Sequence, residues 1–333
     1  MMYRVRAGWL TVLTVTCVAT VSACSSPGSG EDTDGNDRTS VSTPAPVRSV
    51  PLRRDVRGLT LPLDAYQLND SQRAQLTRAT DLLISKCMKR FGMRYEFLRQ
   101  EPLTSIDSSK ARLYGVTDER TAALHGYHAP GAKAKEARKL QADAIHAAMS
   151  PTELFVFGGT RGERGQRIGS GQKNTPPTAS PGKVGGQDVP PGGCSGEAGR
   201  AIYGARGIIG GVGLTSFADQ IASDSYSRSL ADDRVRGVFG KWSVCMKKKG
   251  YNYPDLKSLM AEPWATPAPT RKEIATAMAD VACKAEVNVV GVWSAVHAAY
   301  QQAALEKNQV SLGKAKKDLD LALRNASQII TAG

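Results

Sequence analysis

Beyond residue 69, apolar positions recur at helical spacing along most of the chain. Leu76, Ala79, Leu83 and Cys87 fall three to four residues apart. Asn69 with Gln72 makes a capping-box pattern before them, Lys89 and Arg90 fill the last turn, and Gly92 stands where a helix stops. This predicts a helix over 70–91. A second is expected over 230–249, with Val235, Val238, Trp242 and Cys245 as its stripe, Ser229 and Asp232 as its cap and Gly250 as its stop. Thr117-Asp118-Glu119 opens a short helix through Leu124, residues 132–148 are rich in Ala, Lys and Glu, and Ser150-Pro151-Thr152-Glu153 is a start signal. Cys194 opens a helix to about Tyr203. Thr270 with Glu273 reads as a capping box ahead of Ile274, Ala277, Met278, Val281 and Ala285. Helical spacing resumes through Val289, Trp293, Val296, Tyr300 and Ala303, then Leu312, Ala315, Leu319, Leu323, Ala326 and Ile330. Gly costs a helix only about 1 kcal/mol against Ala, so Gly313 leaves open whether 284–330 is one helix or a hairpin. Leu59, Leu61, Leu63 and Tyr66 alternate as in an extended lead-in. Residues 158–193 hold so much Gly and Pro that an irregular loop is expected. Strand signals are scarce, and the fold class is all-α.

The two strongest helices end alike. Cys87-Met88-Lys89-Arg90-Phe91-Gly92-Met93-Arg94-Tyr95 and Cys245-Met246-Lys247-Lys248-Lys249-Gly250-Tyr251-Asn252-Tyr253 both read C-M-K-[RK]-x-G-x-x-Y. Each is followed later by a C-x-x-E: Cys194 to Glu197, and Cys283 to Glu286. We expect an internal duplication giving two packed helical modules, 59–215 and 216–333, each with one pair of cysteines. The aromatic tails, Tyr95 and Phe97 in one copy and Tyr251 and Tyr253 in the other, are expected to cover the helix end. A carbohydrate-stacking platform is the alternative.

The start of the chain sets the compartment. Arg4 and Arg6 precede an apolar run over 9–21 that ends in Val21-Ser22-Ala23-Cys24. The run has signal-peptide length, short of the roughly twenty residues that span a bilayer. The final residues resemble the lipobox of bacterial lipoproteins. That implies a signal peptide over 1–23, diacylglycerol on the Cys24 sulfur and anchoring at the outer face of the cytoplasmic membrane. Residues 24–58 are dominated by Ser, Gly, Asp, Thr and Pro. They read as a disordered tether with a reach of about 30 Å. The 333-residue chain carries a formal charge of +13. Without Arg4 and Arg6 it stays strongly basic, which favours anionic surfaces. Outside the cytoplasm these are lipid headgroups or phosphate-bearing wall polymers, not nucleic acid.

Four cysteines remain past Cys24: Cys87, Cys194, Cys245 and Cys283. An even count in an oxidising compartment favours disulfides. Three pairings exist. The repeat favours Cys87–Cys194 with Cys245–Cys283, and the exchanged pairing Cys87–Cys283 with Cys194–Cys245 also respects it. No C-x-x-C occurs and no His lies near a cysteine, so neither a metal nor a cofactor is implied. Glu197 and Glu286 are repeat-equivalent carboxylates, the kind of pair a glycan hydrolase would need. The plainer reading places both in first helical turns, where the dipole favours negative charge. His125 and His128 read as loop residues, His146 and His297 as isolated. Ser170 sits in a Gly/Pro-rich loop with no strand before it. Asp280 and Lys284 read as a surface i,i+4 pair. No catalytic constellation assembles. Lys247, Lys248 and Lys249 with Lys257, Lys89 and Arg90 with Arg94, and Lys314, Lys316 and Lys317 make basic clusters; the first is the candidate for anionic-surface binding.

The two C-M-K segments, together with Gly192-Gly193-Cys194-Ser195-Gly196-Glu197-Ala198 and Asp280-Val281-Ala282-Cys283-Lys284, resemble a group of uncharacterised actinobacterial, Streptomyces-type lipoproteins. The resemblance lends no catalytic residue. It implies a place beside envelope export systems, with a transporter as the partner. The function expected is a lipid-anchored, non-enzymatic binding or accessory protein of the cell envelope. The alternatives are a wall-glycan hydrolase using Glu197 and Glu286, and a structural spacer that assembles through the C-terminal helices.

Overall fold

The computed structural model describes residues 45–97, 110–159, 179–204, 215–264 and 268–332. The apolar leader, Cys24 and Ser170 lie outside them. Eleven helices are described: α1 (Asp70–Arg90), α2 (Glu119–His125), α3 (Ala132–Ala148), α4 (Pro151–Gly158), α5 (Gly193–Tyr203), α6 (Ser216–Ala231), α7 (Asp233–Lys248), α8 (Leu256–Met260), α9 (Arg271–Glu286), α10 (Val289–Lys307) and α11 (Gln309–Ala332). A two-residue hairpin, β1 (Lys183–Val184) and β2 (Gln187–Asp188), lies in the Gly/Pro-rich connection.

The expected local signals operate at most starts. The Asn69 side chain accepts from Gln72 N and Gln72 returns the bond, and Ser150 and Glu153 do the same for α4. At α7 the cap is Asp232, whose Oδ1 accepts from Arg234 N at 3.0 Å. Ser229 belongs instead to α6, a helix the pattern reading did not anticipate. Between Glu286 and Ala332 the chain makes two breaks, at Asn288 and Asn308, while Gly313 sits inside α11. Asn288 takes the left-handed conformation at φ 59°, which Asn tolerates better than most residues.

α1 and α7 stop in the same way. Gly92 N donates to Lys89 O at 3.0 Å and Met93 N to Met88 O at 3.1 Å; Gly250 N donates to Lys247 O at 3.0 Å and Tyr251 N to Met246 O at 3.0 Å. This pair of bonds is the Schellman motif, and it needs a left-handed residue after the helix. Gly92 at φ 70° and Gly250 at φ 87° supply it. Two disulfides join Cys87 to Cys194 and Cys245 to Cys283. These two bridges take up all four of the cysteines past Cys24.

The second halves of the two segments differ. Cys194 is the second residue of α5, whereas Cys283 lies in the last turn of α9. The described residues of 59–215 and 216–333 are packed within one compact unit. α11 packs on α1 and α5, and α2 packs on α9. α10 runs through the largest apolar cluster, where Val289, Val290, Trp293, Val296 and Tyr300 meet Val235, Val238 and Trp242 of α7. Trp242 is fully buried; truncating such a side chain typically costs about 3–5 kcal/mol.

Residues 45–58, expected as part of the tether, are held on the folded body. Ala45 is buried, with its carbonyl accepting from Arg234 at 2.9 Å. The Asn288 amide grips the extended backbone at two points, accepting from Arg53 N at 2.9 Å and donating to Pro51 O at 3.0 Å. Residues 45–58 therefore form a strap on α7 and α10, continuous with the buried Leu59, Leu61 and Leu63. Leu63 lies in a 3-10 turn over Pro62–Tyr66 rather than in an extended run. Composition missed the strap because its bonds run through backbone atoms to residues more than 180 positions away.

Candidate functional site

The C-terminal end of α7 collects the basic residues singled out from sequence. Lys247, Lys248 and Lys249 are all exposed, and no carboxylate pairs with any of them among the described residues. The helix end beneath is fixed by the Schellman bonds and by the Cys245–Cys283 bridge. The aromatic tail folds back: Tyr251 and Tyr253 pack on the largest cluster, and Ser243 Oγ donates to Tyr253 O at 2.6 Å. The exposed carbonyls of a helix C-terminus carry partial negative charge, so three cations there are locally favourable as well as outward-facing. Lys257 is exposed nearby in sequence on α8. The other clusters are partly neutralised. Arg90 binds Glu197, Lys314 binds Asp318 at 3.3 Å, and Lys316 binds Asp320 at 2.7 Å.

Behind the lysine end lies a buried polar network that the sequence reading missed. Asp280 and Lys284 are 0% and 1% exposed, not a surface pair. Asp280 accepts from Lys284 Nζ at 2.8 Å, Trp242 Nε1 at 2.9 Å and the Tyr127 hydroxyl at 3.3 Å; Lys284 also donates to Val116 O at 3.0 Å. Burial pushes the Asp280 carboxyl up, against the pull of these donors. Glu273, also fully buried, turns away from its expected capping-box bond. Its Oε1 accepts from Tyr127 N and meets His128 Nδ1, both at 2.8 Å, while Oε2 is buried without a partner among the described residues. Thr270 caps α9 alone. A signal existed: residues 273, 277, 280 and 284 share one helix face, and Ala277 on that face is buried. His128 thus has a carboxylate 145 positions away. His297 sits between Tyr114 and Gln301, and burial pushes its pKa down to about 4, so the ring is neutral.

The repeat-related carboxylates are not held alike. Glu197 is the fifth residue of α5, beyond the first turn where it was expected, and is gripped by both terminal nitrogens of Arg90. Glu286 is the exposed last residue of α9, not a first-turn residue as expected. The helix dipole opposes a negative charge there. α5 packs on α1, α4 and α11, while α9 packs on α2, α7 and α10, so each glutamate belongs to its own cluster. Among the described residues no group of His, Cys, Asp and Glu is placed to hold a metal, and no helix is long and apolar enough to cross a membrane. Comparison with protein-family models, with curated proteins and with solved structures finds no match.

Proposed function

We propose that this chain is a lipid-anchored, non-enzymatic binding or accessory protein of the cell envelope, held at the outer face of the cytoplasmic membrane through Cys24. In this reading the α7 end docks on an anionic surface, lipid headgroup or wall polymer, in the service of an envelope transporter. The observation that carries it is the trio Lys247, Lys248 and Lys249, exposed and without a described acidic partner on a doubly fastened helix end. The two like segments are read as one duplicated module. The spacer alternative needs an apolar stripe exposed along the last helices, yet Leu312, Leu319, Ala322 and Ala326 are 0–2% exposed.

The test is binding to vesicles of anionic phosphatidylglycerol across a salt series. Changing the three lysines to Gln should weaken attachment, mostly at low ionic strength, because exposed charges are screened within about 10 Å at 0.1 M salt. Attachment that ignores both salt and the lysines would overturn the electrostatic docking. The anchor is tested separately: Cys24→Ser should leave the chain unprocessed or released from membranes.

A further inference from the structure

The two C-M-K segments share a cap but not their surroundings, and the difference follows one helix face. Aligned on Cys87 and Cys245, Val235 and Phe239 of α7 correspond to Thr77 and Asp81 of α1. In α7 both apolar residues enter the core, Val235 at 0% exposure and Phe239 edge-on to Trp293 at 5.1 Å. In α1 their polar counterparts face a cleft of about 350 Å³ between α1, α3 and the segment after Gly92. That size lies in the range of ligand sites, about 300–1,000 Å³. The aromatic tail differs likewise. Tyr253 is drawn onto the core by Ser243, whereas Tyr95 and Phe97 line the cleft. Tyr95 stacks on Phe97 at 6.4 Å and on Phe157 at 5.5 Å, with Phe97 40% exposed.

The opposite wall is α3, a 17-residue helix with no buried residue. Only Arg138, Ala142 and Ile145 are partly covered along it, and all three line the cleft. Among the described residues, α3 meets the body along the cleft and through His146, whose ring lies edge-on to Phe157 at 5.2 Å. Lys135, Arg138 and Lys139 stand along the rim of the cleft, which Glu96 also lines, and Lys139 is held by Asp143 at 2.9 Å. Asp81 faces them from α1 with no hydrogen-bond donor on it among the described residues, and desolvation raises its pKa to about 6.

From this juxtaposition we propose that the α1–α3 cleft is a binding site for an anionic glycan: a sugar ring stacked on the exposed face of Phe97 beside Tyr95, its carboxylate or phosphate held by Lys135 and Arg138, and its hydroxyls donating to Asp81. An aromatic face takes the apolar face of a ring. A guanidinium adds a charge-assisted bond to either anion. An unoccupied half-buried carboxylate supplies an acceptor that hydroxyls satisfy, which neither a purely basic nor a purely apolar groove would offer. None of the three α7 lysines lines the cleft, and the site does not need them.

Titration calorimetry of the full chain in detergent tests the site. The probes are a disaccharide of N-acetylhexosamines carrying one lactyl carboxylate, the same disaccharide carrying a phosphate monoester, and the neutral disaccharide. One or both anionic probes should bind at least about tenfold more tightly than the neutral one, since a single charge-assisted bond is worth that much. The preferred anion identifies the source as wall glycan or phosphate-bearing polymer. Phe97→Ala, and separately Lys135→Gln with Arg138→Gln, should each weaken binding about tenfold or more. These side chains lie on the surface of α3 and the cleft, and unchanged circular dichroism excludes unfolding. Changing Lys247, Lys248 and Lys249 to Gln should leave this binding intact, which separates its failure from failure of the lysine docking. Equal affinity for the neutral probe, no binding of either anionic probe, or indifference to Phe97→Ala would overturn the proposal.

Discussion

Asp81 should make the protein less stable than it need be. A carboxyl whose pKa stands at about 6 instead of 3.8, through desolvation, costs roughly 3 kcal/mol to ionise at 1.36 kcal/mol per pH unit. Asp81 is only half-buried, and water in the cleft screens it, so about 1–2 kcal/mol is the realistic cost. The sign follows from the order of the two values. The folded pKa lies above the unfolded one, so the native state binds the proton more tightly. This group's contribution is therefore neutral below about pH 4, becomes destabilising as pH rises from about 4 to about 6, and stays so above that. Asp81→Asn keeps the shape and never ionises. Urea unfolding should show the variant about 1–2 kcal/mol more stable at pH 7.5, with the gain fading as pH falls to 4. No gain at pH 7.5, or a gain of the same size at both pH values, would refute the reasoning. A stabilising change at a polar position, where the matching position of α7 holds core Phe239, is what a residue kept for binding predicts.

Lys284→Met should cost about 3 kcal/mol or more in urea unfolding, because it leaves Asp280 buried without its cation. Adding Asp280→Asn should recover part of that loss, since Asn still accepts from Trp242; a double variant no more stable than the single would count against an ionic pair. Gly291→Ala should loosen the strap, because a Cβ there meets the Pro51 carbonyl and the Asn288 side chain. Overpacking of this kind costs about 1–3 kcal/mol. Trypsin should then cut faster at Arg48, Arg53, Arg54 and Arg57, and an unchanged cleavage rate would show the groove to be yielding.

Features that depend on a few neighbouring residues were legible in the chain. Helix stripes, the Asn69 and Ser150 caps and the glycine stops at Gly92 and Gly250 are written within six or seven positions. Local geometry then dictates their outcome. The disulfide pairing was legible because the C-M-K segment occurs twice. What tertiary structure alone decided are the features made between distant residues. Composition marked 45–58 as tether, yet Asn288 and Gly291 hold its backbone. Asp280 and Lys284 look like a surface pair, but α2, α7 and α9 close over them, so burial sets their energy. Glu197 and Glu286 share a motif, but one lies inside α5 on Arg90 and the other ends α9, where the dipole opposes it. The cleft is the clearest case. Thr77 and Asp81 read as ordinary polar positions on an amphipathic helix until α3 folds across them. Periodicity reports which face of a helix is apolar, not what is brought to face its polar side.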